Sequence, residues 1–191
     1  MSITSVSITS VSRTTDLSSV YAVKLMTVNL NIMLEAEKVE AKLFAKFAKS
    51  FAGYSIYITS SSVDERYWVI SAKRDVSPTA FYLYDAKKDN YSLLFGNLPK
   101  LDKTKLSTSI PVKFEASDGA MISAYITYPV GVDETFAVPL VTLVHGGSNV
   151  RDYWNFDSEV QLLASQGYAV LRVDYRGLSG YGRKHMSGSE K

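Results

Sequence analysis

His145, Gly146 and Gly147 interrupt an apolar run, Pro139 to Val144, and Arg151, Asp152, Asp174, Tyr175 and Arg176 follow them. Histidine is a residue type that serves as a general base, and charged groups can either contact a substrate or hold loops together. Each residue also has a plainer role. A glycine pair takes backbone angles that other residues resist, so Gly146-Gly147 can simply turn a strand into a loop. His145 stands at a strand end, where stabilising that loop through hydrogen bonds is expected rather than proton abstraction. For the charged residues the preferred reading is a buried Asp174–Arg176 or Asp152–Arg151 arrangement. Pairs such as His145 with Asp174 can be named, but nothing in the spacing brings them together. A serine nucleophile on a sharp strand-to-helix elbow carries Gly-x-Ser-x-Gly. The nearest string, Gly177-Leu178-Ser179-Gly180-Tyr181, has tyrosine in place of the last glycine, so Ser179 is not promoted. His185, beside Arg183 and Lys184, reads as solvated. The chain has no cysteine, which excludes disulfides, zinc–thiolate sites and a cysteine nucleophile. No metal-ligand spacing and no G-x-G-x-x-G after a strand appears, so neither metal nor cofactor is expected.

The elements that must position these residues follow from periodicity. Pro139 to Val144 suits a strand buried on both faces. Phe156 to Ala164 has apolar residues (Phe156, Val160, Leu163, Ala164) near helical spacing, with Asp157 and Glu159 where the positive helix end favours acids. Gly167 stops this helix and Tyr168 to Val173 returns as a strand. Strand–helix–strand at this spacing predicts a parallel pair joined by a crossover. Upstream, Pro111 to Ala116 and Ala120 to Tyr128 form a predicted hairpin around Ser117-Asp118-Gly119.

Further back, Tyr54 to Thr59, Tyr67 to Ala72, Ala80 to Tyr84 and Asn90 to Phe95 are four short strand patterns. Ser60-Ser61-Ser62, Asp75 to Pro78 and Asp85 to Asp89 are the turns between them. Four such strands could form one β-propeller blade. Glu35 to Ala52 is helical, with Leu34, Val39, Leu43, Phe44 and Phe47 on one stripe and lysines largely opposite; it reads as an amphipathic helix packed on a domain. Residues 1–34 are set aside as a leader. Its first part is rich in serine and threonine, with SITSV at 2–6 repeated at 7–11, and the element over 20–34 is left unassigned. The expected organisation is thus 1–34 leader, 35–97 helix and propeller-like strands, 98–110 polar linker, and 111–191 a partial catalytic domain.

Taken together, His145-Gly146-Gly147, Arg151-Asp152, Trp154, Phe156-Asp157, Gln161, Gly167-Tyr168-Ala169-Val170, Asp174-Tyr175-Arg176-Gly177 and Ser179-Gly180-Tyr181-Gly182 carry a specific resemblance. The stretch resembles the first half of the α/β-hydrolase domain of the prolyl oligopeptidase family of serine peptidases, nearest its acylaminoacyl and dipeptidyl peptidase branch. Ser148 and Leu178 depart from the pattern, where proline and a small residue are commoner. The resemblance covers about residues 54–182, since that family places a propeller before its hydrolase domain. The implied fold class is α/β: the N-terminal half of an α/β-hydrolase domain after a β-rich segment resembling part of a propeller.

By this resemblance the loop at 145–147 contributes to the oxyanion hole, where a backbone donor follows the third strand. Gly147 is the expected donor, Gly146 shapes the turn and His145 supports the loop. The Ser-Asp-His triad is expected beyond this chain, which alone should be inactive; short peptides are the implied substrates. An esterase of the same superfamily and a non-catalytic interaction module are the alternatives.

The 46% hydrophobic and 12% aromatic content supplies a core, and a net charge of +2 is too small to argue for nucleic acid or an anionic membrane, so neither is expected as a partner. No apolar run reaches the ~18 residues of a membrane span. No secretory signal pattern opens the chain, and a cytoplasmic location is the default expectation. An exposed sheet edge is expected to favour self-association.

Overall fold

The computed structural model describes residues 8–13, 20–25, 31–33, 39–146 and 151–177. The chain divides into two compact units, one running to Leu101 and one from Asp102 onward.

The first unit contains β1 (Ile8–Arg13), β2 (Val20–Leu25) and β3 (Asn31–Met33), an antiparallel sheet in that order. Strands therefore stand within the segment expected to be a leader. Alternating apolar residues over Val20–Leu25 resolve as strand once neighbours supply ladder partners. Helix α1 (Val39–Ser50) follows. Residues 34–38, which include its expected start at Glu35, lie outside those described. Its buried face is Ala41, Phe44 and Phe47, whereas Val39, expected on the stripe, is exposed. The helix ends through Tyr54 N–H donating to the Phe51 carbonyl at 3.0 Å and Gly53 at φ +79°, a backbone angle that favours glycine.

Strands β4 (Ser55–Ser61), β5 (Tyr67–Arg74), β6 (Ser77–Asp85) and β7 (Asn90–Gly96) form an antiparallel meander in sequence order. All four predicted strands are present. The expected turns at 60–62 and 75–78 are shorter, however: β4 continues to Ser61 and β6 already includes Pro78. The ladder explains why proline is tolerated, because β7 ends opposite Ala80 and leaves Pro78 beyond its reach. Helix α1 packs Phe44 and Phe47 against Ile56, Trp68, Ile70 and Tyr84. Phe47 meets the Tyr84 ring edge-on at 5.1 Å and the Tyr91 ring at 5.9 Å, geometry that favours aromatic pairs beyond area burial.

In the second unit a short 3-10 turn, Lys103–Lys105, is capped by Asp102. Strand β8 (Ser109–Glu115) therefore takes the last two residues expected in the linker. It pairs antiparallel with β9 (Met121–Thr127) through the predicted hairpin. Ala116 N–H closes on the Ala120 carbonyl at 2.8 Å and Gly119 stands at φ +82°, which makes a three-residue loop with a left-handed glycine. Next come β10 (Leu140–Leu143), α2 (Ser158–Ser165) and β11 (Ala169–Asp174). Strands β10 and β11 are parallel, as expected, and β11 inserts between β10 and β9 to give the order β10-β11-β9-β8.

Helix α2 starts two residues later than expected because Asp157 is its N-cap, with Oδ1 accepting from the Glu159 and Val160 amides at 2.9 and 3.2 Å. Val160 and Ala164 are buried; Phe156 and Leu163 are half-buried. Strand β10 corrects the expectation of burial on both faces. Leu140 and Val144 are 55% and 61% exposed, since β10 pairs only with β11 among the described residues and stands at the sheet edge.

Candidate active-site loop

Residues 144–146 leave the carboxyl end of β10, residues 151–157 lead into α2, and Asp174 and Tyr175 close the carboxyl end of β11. The carboxyl ends of parallel strands are where open α/β sheets bind ligands. Among the described residues β10 is the third strand of its unit and α2 its first α-helix.

His145 meets its surroundings through its carbonyl and its ring face. Its ring nitrogens have no hydrogen-bond partner among the described residues. The ring stacks on Tyr175 instead, with centroids 4.9 Å apart and planes at 21°. The His145 carbonyl accepts from the Tyr175 hydroxyl at 3.0 Å. Loop support thus comes through the backbone and the ring face. Gly146 is exposed, and a Cβ there would meet nothing within 4 Å; its φ is not left-handed. The turn itself does not require glycine at 146, and what glycine leaves is open approach to the backbone. Gly147, Ser148, Ser179 and His185 lie outside the described residues.

The charged residues form a network, but with other pairings than expected. Buried Arg172 is its centre: Nη1 lies 3.4 Å from Asp152 Oδ1 and 3.9 Å from Asp157 Oδ2, and its guanidinium lies 5.5 Å from the Tyr125 ring centroid. Asp174, wholly buried, accepts the Asp152 amide at 2.8 Å. Arg151 is buried; its Nε donates to the Asp152 carbonyl at 3.2 Å rather than to the Asp152 carboxylate, and its guanidinium lies over the Tyr153 ring. Arg176 is not the partner of Asp174. It reaches the hairpin loop and pairs with Asp118, whose carboxyl it holds below the usual range. The reason is where the strand ends: Arg172, two residues before Asp174, shares its face within β11, whereas β11 stops at Asp174 and Arg176 stands in the turn that follows.

Burial pushes the Asp152 carboxyl above its ordinary range; Arg172 opposes that rise and Asp174 adds to it. Arg172 was readable as an arginine in an otherwise apolar strand, Ala169-Val170-Leu171-Arg172-Val173, a position that calls for a buried partner. Two more contacts fix the frame around the loop. Trp154 Nε1 donates to the Ser109 carbonyl at 2.6 Å. The Gln161 side chain accepts from Ser107 N–H and donates to the Ser107 carbonyl, both at 2.8 Å.

The sequence model of the prolyl oligopeptidase family matches residues 154–191, which include α2, β11 and its carboxyl end. Dipeptidyl aminopeptidase BIII of Pseudoxanthomonas mexicana is 32% identical over 134 residues, covering 67% of this chain and 19% of that protein. The chain belongs to the prolyl oligopeptidase family. Family members are also its structural neighbours. The acylaminoacyl peptidase of Pyrococcus horikoshii superposes with a TM-score of 0.51 at 24% identity, over 69% of this chain and 21% of that one. A prolyl endopeptidase structure does so at 0.61 and 13% identity, over 97% and 27%. At these identities the structures establish fold alone. The chain spans about a fifth of the length of the curated relatives it matches. Among the described residues no helix is long and apolar enough to cross a membrane.

Proposed function

We propose that this chain carries the oxyanion-hole loop and the first half of the hydrolase domain of a serine peptidase that cleaves short peptides. The observation that carries the reading is the glycine loop at the carboxyl end of β10, held by Tyr175 and Asp174 from β11. The relatives' names support peptides as the substrate class. The four-stranded meander is read as one propeller blade, and residues 111–191 as the partial catalytic domain. Gly147 N–H is the donor toward the developing oxyanion, and removing one such donor typically costs about 3–4 kcal/mol of transition-state stabilisation.

The reaction is acyl transfer from the peptide to serine, then hydrolysis. No Gly-x-Ser-x-Gly stands in these 191 residues, so the triad is assigned beyond them and the isolated chain is inactive. In isolation, the outer edge of β10 with Leu140 and Val144 exposed is the surface through which chains would associate.

The test is an assay of the purified chain with fluorogenic dipeptidyl and N-acyl aminoacyl substrates, together with labelling by a fluorophosphonate probe. Neither turnover nor labelling is expected. Turnover abolished by substituting a serine within the chain would overturn the assignment of the nucleophile beyond it.

A further inference from the structure

The same loop brings together three metal-ligating side chains from three separate elements: His145 at the end of β10, Asp152 in the loop, and Asp174 at the end of β11. One ligand atom from each lies within 4.8 Å of the others. His145 Nδ1, His145 Nε2 and Asp152 Oδ2 have no accessible surface and no hydrogen-bond partner among the described residues, and the same holds for Arg172 Nε and the two Arg151 Nη atoms in the surrounding network. Buried polar atoms are rarely left so, and a water or ion commonly accounts for the exceptions. We propose that His145, Asp152 and Asp174 form a binding site for a first-row divalent cation of the zinc type.

The donor set chooses the class of ion. One imidazole nitrogen with two carboxylate oxygens and no thiolate suits zinc, cobalt or nickel, and the imidazole disfavours magnesium and calcium. Tetrahedral zinc places nitrogen and oxygen ligands about 3.3 Å apart, so the side chains close in by rotation from their present envelope. Neighbouring arginines limit the ion without displacing it. Arg172 engages Asp152 through Oδ1 and leaves Oδ2 for the cation, while the Arg151 guanidinium is turned onto Tyr153. A bound ion would tie the end of β10 to the end of β11 and fix the start of the glycine loop. It has no part in the peptidase chemistry, and the site does not depend on that reading.

The sequence makes the test clean, because the chain has no cysteine and only two histidines, His145 and His185. Zinc would be titrated calorimetrically into the full chain in a non-chelating buffer. One ion per chain is expected, with Kd below about 10 µM. His145→Gln and Asp152→Asn should each weaken binding at least tenfold, and His185→Gln should leave it unchanged. The proposal fails if no saturable binding occurs below about 1 mM, or if binding follows His185 instead. Should His145→Gln not fold, ring-nitrogen spectra of the wild-type chain decide the matter. Zinc-dependent shifts of the His145 nitrogens support the site, and shifts of His185 alone, or of neither, overturn it.

Discussion

Gln161→Ala tests whether the start of the hydrolase unit is held by one side chain. Gln161 is buried and closes two 2.8 Å hydrogen bonds on the backbone of Ser107, itself buried. Truncation removes both partners at once. Each buried backbone group left unsatisfied costs about 1–3 kcal/mol, and water entering the vacated space recovers part of that. A net loss of about 3 kcal/mol is expected. Gln161→Met separates the causes: it fills the space but restores neither hydrogen bond, so its loss should stay within about 1 kcal/mol of that of the alanine variant.

The chain contains two tryptophans, Trp68 in the first unit and Trp154 in the second. Fluorine NMR of 5-fluorotryptophan-labelled protein therefore follows each unit separately through a urea titration. Trp154 donates to the Ser109 carbonyl, two residues from Ser107, and its resonance should lose the native signal at lower urea in both variants. If the Trp154 midpoint in both variants stays within about 0.5 kcal/mol of wild type, the clamp has no energetic role and the reasoning is refuted.

In the first unit, Phe47→Ala removes a wholly buried ring between α1 and the meander and should cost about 3–5 kcal/mol, read at the Trp68 resonance. Tyr175→Phe keeps the stack on His145 but deletes the hydrogen bond to its carbonyl; a loss of about 0.5–1.5 kcal/mol is expected in the same titration at Trp154. Gly146→Ala should change stability by no more than about 1 kcal/mol, because no described atom lies within 4 Å of the added Cβ and the φ is not left-handed. Arg66 holds the Asp85 carboxyl below its ordinary range. The depressed folded-state pKa means this contribution is present above the unfolded carboxylate pKa of about 3.9 and is lost as pH falls through the lower folded value. Thermal melts from pH 6 to pH 2.5 should show Arg66→Gln narrowing its deficit relative to wild type in the acid range. A constant difference across that range would refute the linkage.

The strands were legible where burial alternates or an apolar run stands between turns. β4 to β7 and the β10–α2–β11 unit follow directly from that pattern. Three things were not legible. The strand order β10-β11-β9-β8 depends on long-range pairing that periodicity does not encode. The exposure of β10 was missed because an apolar run looks the same at a sheet edge as at its centre. In the site, Arg176 was read as the neighbour of Asp174, whereas β11 ends at Asp174, the turn after it carries Arg176 toward Asp118, and Arg172 is the arginine that shares the inward face. The contacts His145 makes, a ring stack on Tyr175 and a carbonyl that accepts from its hydroxyl, leave no mark on local sequence.

The insertion of β11 between β9 and β10 also sets a timetable for the nascent chain. The β8–β9 hairpin needs only its own loop and can close soon after Thr127 leaves the ribosome. β10 emerges next, but its only described ladder partner is β11, so it must wait until Asp174 has been made. Local pairings form quickly and distant ones later; during that interval the chain carries an unpaired apolar strand with its glycine loop still unanchored. Because Asp174 and Tyr175 both come from the end of β11, the arrival of this strand joins β10 to the β8–β9 hairpin and brings both contacts to the loop in one step. A pause in translation between 144 and 174 would therefore expose the strand most prone to wrong pairing, and a chaperone acting on this chain would find its binding window there.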